Sequence, residues 1–70
     1  MSKWPSSKAK RVFQALLRKG WTVKSQRGSH IQLRHPSHGD FTWAFHDGEE
    51  IGPKMMARVA RQTGIVPEDL

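Results

Sequence analysis

Cysteine is absent from the 70 residues, which removes disulfide staples, Cys-ligated zinc and thiol nucleophiles together. No apolar run exceeds three residues and the basic opening MSKWPSSKAKR is followed by no apolar core segment. Signal peptides and membrane spans are therefore excluded, and a cytoplasmic protein is expected. Acids are missing from the whole first half. Nine Lys and Arg precede residue 40 unopposed, whereas three Lys and Arg stand against six Asp and Glu from Asp40 onward. The formal net charge of +6 and a sequence pI near 10.6 favour nucleic acid or another polyanion as partner. A chain this short buries only about 60% of its unfolded surface, so one domain over residues 1–70 is expected, with residues 1–5 as a loose lead-in and no deep cofactor cavity.

Ser6 or Ser7 is placed to cap a helix in which Ala9, Val12, Phe13, Leu16 and Leu17 make one apolar stripe. That helix should stop near Lys19, with Gly20 as a left-handed cap and Arg18 and Lys19 at the negative end of its dipole. From Trp21 the period changes to two. Trp21 and Val23 alternate with Thr22 and Lys24, the segment 25–28 turns, and residues 29–35 put Ile31 and Leu33 on one side and His30, Gln32 and Arg34 on the other. After the turn-rich residues 36–40, Phe41, Trp43 and Phe45 repeat the pattern as a third strand. A second helix begins at Pro53, buries Met55, Met56, Val59 and Ala60, and ends at Gly64; Ile65 folds back and residues 67–70 form a closing turn. The predicted fold is α+β, an α-β-β-β-α two-layer sandwich with both helices on one face of a three-stranded antiparallel sheet.

Chemistry concentrates on the polar sheet face. His30 lies beside Gln32 and Arg34 and across a hairpin from Lys24, and imidazole is the side chain best suited to move protons near neutral pH. Metal-independent RNA cleavage needs a base for a 2′-hydroxyl, an acid for the leaving oxygen and cations beside the phosphate. Spacing alone leaves open whether His30 does this or is an ordinary exposed strand histidine. A Ser29–His30 nucleophilic pair is disfavoured because adjacent strand residues point to opposite faces. Ser29 reads instead as a turn hydroxyl and Gly28 as the residue permitting a positive φ.

His30, His35, His38 and His46 show no metal-ligand spacing, so no metal or cofactor is expected. His35 reads as a partly buried edge residue. His46 shares the parity of His30 and is either a second acid–base group or a loop residue. Glu49 and Glu50 precede the second helix, where negative charge favours a capping role. Lys54, Arg58 and Arg61 form a basic ridge that is either solvated or in contact with phosphate. The methionines and aromatics fit core packing, the alternative being bases stacked on an exposed Trp4 or Trp43.

The run Leu16-Leu17-Arg18-Lys19-Gly20-Trp21, the hairpin Gln26-Arg27-Gly28-Ser29-His30, His35-Pro36, and the order of His46, Glu50-Ile51, the second helix and Thr63-Gly64-Ile65 resemble the HicA family of bacterial toxins. These are small mRNA interferases of toxin–antitoxin modules. The likeness spans nearly the whole chain; the segment 37–45 and the Trp4-Pro5 lead-in depart from the commoner family pattern. The resemblance implies a double-stranded-RNA-binding-domain-like fold, catalysis by His30, no need for metal, and a HicB-like antitoxin that binds the toxin and blocks its active face.

The first function expected is thus a growth-inhibiting endoribonuclease toxin that cleaves mRNA, with His30 as general acid or base and Lys24, Arg27, Gly28, Ser29 and Arg34 as RNA- and phosphate-binding residues. The alternative is a non-catalytic RNA-binding module of the same fold, and a third class is a DNA-binding partner protein. Asp47, Glu49 and Glu50 are expected to limit where RNA lies.

Overall fold

A computed structural model describes residues 4–70. Of the expected lead-in, positions 1–3 lie outside the described residues, and Trp4 is half-buried against the hydrophobic core. The elements run β1 (Ser7–Lys8), α1 (Ala9–Arg18), β2 (Thr22–Arg27), β3 (His30–His35), β4 (Gly39–Trp43), β5 (Glu50–Ile51), α2 (Pro53–Thr63) and a 3-10 turn over Pro67–Asp69. Strands β2, β3 and β4 form an antiparallel sheet in that spatial order. Two helices over a three-stranded antiparallel sheet make this an α+β protein, in an arrangement consistent with a double-stranded-RNA-binding-domain-like fold.

The apolar stripe of α1 does what its spacing dictates: Ala9, Val12 and Leu16 are buried, together with Met56 and Val59 of α2 and Leu33 and Trp43 of the sheet. Burial of each large side chain stabilises the fold by roughly 1.5–3 kcal/mol. Helix α1 closes with a Schellman motif. The Trp21 N–H donates to the Leu16 carbonyl (3.1 Å) and the Gly20 N–H to that of Leu17 (3.2 Å), and Trp21 and Leu16 meet in the core. The Trp21 indole Nε1 then donates to the Thr63 carbonyl at 3.2 Å, fastening the start of β2 to the end of α2. On the other side of α1, Lys19 Nζ lies 3.3 Å from Asp69 Oδ2 and Arg18 donates to the Asp69 carbonyl at 3.0 Å, so these two cations staple the C-terminal turn.

The N-terminus of α1 corrects the sequence reading. Ser7 is a strand residue, opposite Ile51 in a two-stranded antiparallel ladder, and Lys8 takes the cap position with no side-chain cap. The orphan N–H groups of the first turn are met from elsewhere: Ala9 donates to the Glu49 carbonyl (2.8 Å) and Lys10 to that of Asp47 (3.2 Å). Glu49 and Glu50 consequently do not cap α2, whose N-cap is Gly52 and whose first turn holds no acid; Glu50 is in β5, and the Glu49 carboxylate accepts from the His46 N–H at 3.2 Å. Pro53 does begin α2.

Three apolar side chains are less covered than their period suggests. Met55 is 39% and Val23 51% exposed, and Leu17 is also exposed. Val23 shares the helix-covered face with Leu33, but every residue of β2 is exposed, because this edge strand extends beyond the helical cover.

Candidate nucleic-acid interface

The sheet face away from the helices is bare, and its composition follows from register. Paired residues on adjacent strands share a face. The β2–β3 pairs are Thr22–Arg34, Val23–Leu33, Ser25–Gln32, Gln26–Ile31 and Arg27–His30, with a register shift between Val23 and Ser25. Lys24 is therefore the extra residue of a β-bulge. Beyond it the alternation of β2 reverses, so that Ser25 and Arg27, like Thr22 before the bulge, lie on the face opposite buried Leu33. On β4, Asp40 pairs with Arg34 and Thr42 with Gln32. The bare face thus carries three rows: Arg27–His30, Ser25–Gln32–Thr42 and Thr22–Arg34–Asp40.

His30 and Arg27 flank the two-residue turn Gly28–Ser29. Gly28 has φ +60° and, among the described residues, no non-glycine residue has positive φ, the pattern of a type II′ turn, which requires glycine at its first central position. The Gln26 side chain donates to the Gly28 carbonyl at 3.3 Å and braces the loop. A directly opposed antiparallel pair has Cα atoms about 4.5–5.5 Å apart, so Arg27 is the cation nearest His30. Both side chains are exposed.

Lys24 and Arg34 stand at the other end of the face. Arg34 lies four residue steps along the strand from His30, or about 13 Å. Both cations are engaged by one carboxylate: Lys24 Nζ is 3.2 Å from Asp40 Oδ2 and Arg34 Nε is 3.3 Å from Oδ1. The Lys24 hydrogen bond, then that of Arg34, hold the Asp40 carboxyl below its ordinary value of 3.8, so it is charged near neutrality. In the middle row, Thr42 Oγ1 donates to Gln32 Oε1 at 2.9 Å.

The expected site residues consequently divide. His30, Arg27, Gly28 and Ser29 cluster at the hairpin, whereas Lys24 and Arg34 form a separate anion-facing pair restrained by Asp40. Asp40 was not singled out by the sequence reading, although it is the first acid after 39 residues without one. His46 does not join the face, because β4 ends at Trp43 and His46 lies in the following loop. Trp43 is buried and packs on Phe13 (5.5 Å between ring centroids) and Phe45 (5.0 Å), so it offers no platform for bases.

His35 and His38 do meet, their ring centroids 4.7 Å apart. Both nitrogens of His35 are committed: Nδ1 accepts from the Ser37 N–H at 3.0 Å and Nε2 donates to the Lys19 carbonyl at 3.1 Å. His38 stacks on Trp21. These rings close the ends of the helices. Among the described residues no group of three or more His, Cys, Asp or Glu is arranged to hold a metal ion, and no helix is long and apolar enough to cross a membrane.

Two helices on one side of a small antiparallel sheet and a bare, cation-bearing face on the other define a double-stranded-RNA-binding-domain-like class of protein. Within that class the assignment is definite: the family model for the HicA toxin of bacterial toxin–antitoxin systems matches residues 9–65, from the start of α1 to just beyond α2, and the chain belongs to that family. It is a toxin of such a system, in a family whose members are generally mRNA-cleaving and act opposite a cognate antitoxin. No curated protein matches the chain.

Proposed function

We propose that the chain is a cytoplasmic, metal-independent endoribonuclease that cleaves mRNA with His30 as its general acid–base, arrests translation and growth, and is silenced by a HicB-like antitoxin. The observation that carries this reading is the exposed His30–Arg27 pair at the rim of a tight hairpin, on the sheet face that the helices leave open. RNA lies along that face. His30 takes the proton of a 2′-hydroxyl, the 2′-oxygen attacks phosphorus, and the 5′-oxygen departs with a proton returned from the imidazolium or water, leaving a 2′,3′-cyclic phosphate and a 5′-hydroxyl. Arg27 offsets the charge that builds on the phosphate oxygens. The Gly28–Ser29 turn lets the backbone approach the strand closely, and Lys24 and Arg34 hold a neighbouring phosphate rather than the reacting one. Asp40 is charged near neutrality and so is not the proton donor.

The test is His30→Ala. Because the side chain is exposed, stability should change by less than about 0.5 kcal/mol, while cleavage of a single-stranded RNA should fall roughly 100-fold or more. Arg27→Ala should lower cleavage of bound RNA more than RNA affinity. Undiminished cleavage by His30→Ala would overturn the mechanism. A wild type that binds RNA without cutting it would establish the alternative, a non-catalytic RNA-binding module on the same face.

A further inference from the structure

The outer edge of β4 is unpaired, since among the described residues the sheet ends there. Between this edge and α2 runs a groove of about 230 Å³. Its floor is apolar, built from Phe41, Phe45 and Val59 with the exposed Met55, and Arg58 is the single charged residue lining it. Lys54 and Arg61 flank Arg58 at i−4 and i+3, α2 contains no acid, and among the described residues none of these three cations is in an ion pair. The nearest acid in sequence on β4, Asp40, is already held by Lys24 and Arg34.

An open strand edge offers a ladder of N–H and C=O groups that only another peptide backbone matches in full. The apolar floor asks for aliphatic or aromatic side chains at alternate positions of that peptide, and the basic rim asks for carboxylates. A second copy of this chain fits poorly, because two-fold pairing of β4 edges would bring the two cationic α2 ridges together. The other open edge, β2, has all six residues exposed.

We propose that the β4–α2 groove is the docking site for an extended, acidic segment of the cognate antitoxin, which adds to the sheet as a fourth strand. The proposal rests on the antitoxin partnership stated above, not on the chemistry assigned to His30. Strand spacing places such a segment about 10 Å from β3, so its outward side chains reach the bare face and its carboxylates compete there with RNA phosphate.

The experiment uses the toxin and the antitoxin from the neighbouring reading frame. Amide hydrogen exchange should show the outward-facing amides of residues 39–45 protected at least tenfold in the complex relative to the free toxin. Met55→Asp and Arg58→Glu, both at exposed positions, should each weaken antitoxin binding at least tenfold by calorimetry, while Met55→Asp leaves RNA cleavage without antitoxin within twofold of wild type. Unchanged exchange over 39–45 would overturn the proposal even if the variants failed to fold. So would a loss of RNA affinity in Arg58→Glu larger than its loss of antitoxin affinity, which would make the groove an RNA track. A toxin that gives the expected exchange pattern yet never cuts RNA would overturn the catalytic reading and leave the docking site standing.

Discussion

Replacing Asp40 with Asn removes the carboxylate that Lys24 and Arg34 share while keeping its size and much of its hydrogen bonding. In the wild type those two cations spend part of their field on Asp40, at 3.2 and 3.3 Å, and an incoming phosphate must compete with it. In Asp40→Asn both are free to bind RNA. Each phosphate contact to a single strand contributes about −0.7 to the slope of log affinity against log salt, so two additional contacts steepen it by up to about 1.4. From 50 to 200 mM salt the affinity advantage of the variant should therefore shrink by up to about sevenfold. The assay is fluorescence anisotropy of a short labelled RNA, with both proteins in the His30→Ala background so that the probe stays intact. Tighter binding at low salt with a steeper slope is expected. An unchanged slope, or weaker binding at every salt, would refute the view that Asp40 restrains the two cations and would mean that it positions them.

Three further outcomes follow from the packing. Trp21→Phe keeps a ring in the core but deletes the bond from Nε1 to the Thr63 carbonyl; the buried carbonyl left without its partner should cost about 1–3 kcal/mol in denaturant unfolding. Gly64→Ala should destabilise strongly, because φ is +79° there and an added Cβ would sit 2.7 Å from the His38 ring; a melting temperature within a degree of wild type would contradict that close contact. The Asp40 and Asp69 carboxyls are both held below the ordinary 3.8, Asp69 chiefly by the Val66 backbone N–H and then by Lys19. Their contribution to stability is present above that value and is lost as pH falls through their lower folded-state values. Chemical unfolding measured from pH 7 down to 2 should therefore stay level in this respect until about pH 4 and then decline, and Asp69→Asn should flatten the decline.

The fold was legible wherever apolar period and glycine punctuation agree. Val12 and Leu16, Ile31 and Leu33, Met56 and Val59 mark their elements from sequence alone, and Gly20, Gly28 and Gly64 mark the ends. What escaped is set by contacts between distant segments. The β1–β5 ladder is two residues per strand, too short for any alternation, and it exists because the 46–49 loop crosses the start of α1 and satisfies its N–H groups. The candidate site was legible in its membership and not in its grouping. Strand parity gathered His30, Gln32, Arg34 and Thr42, but β2 from Lys24 to Arg27 is polar throughout, so nothing in the residues themselves marks a bulge. The position of Arg27 beside His30 followed only from the register, and so did the commitment of Lys24 and Arg34 to Asp40.

That bulge divides β2 into two halves answering to different selective demands. Before Lys24, the phase of the strand is fixed by Val23 facing the helix-covered side; after it, by Arg27 facing the bare one. A single-residue deletion at Lys24 would remove the bulge and restore a regular alternation, leaving Arg27 opposite His30 on the bare face. What the straightened strand loses is Lys24 itself, whose ammonium lies 3.2 Å from Asp40. The extra residue thus adds a cation to the far end of the face without moving the His30–Arg27 pair.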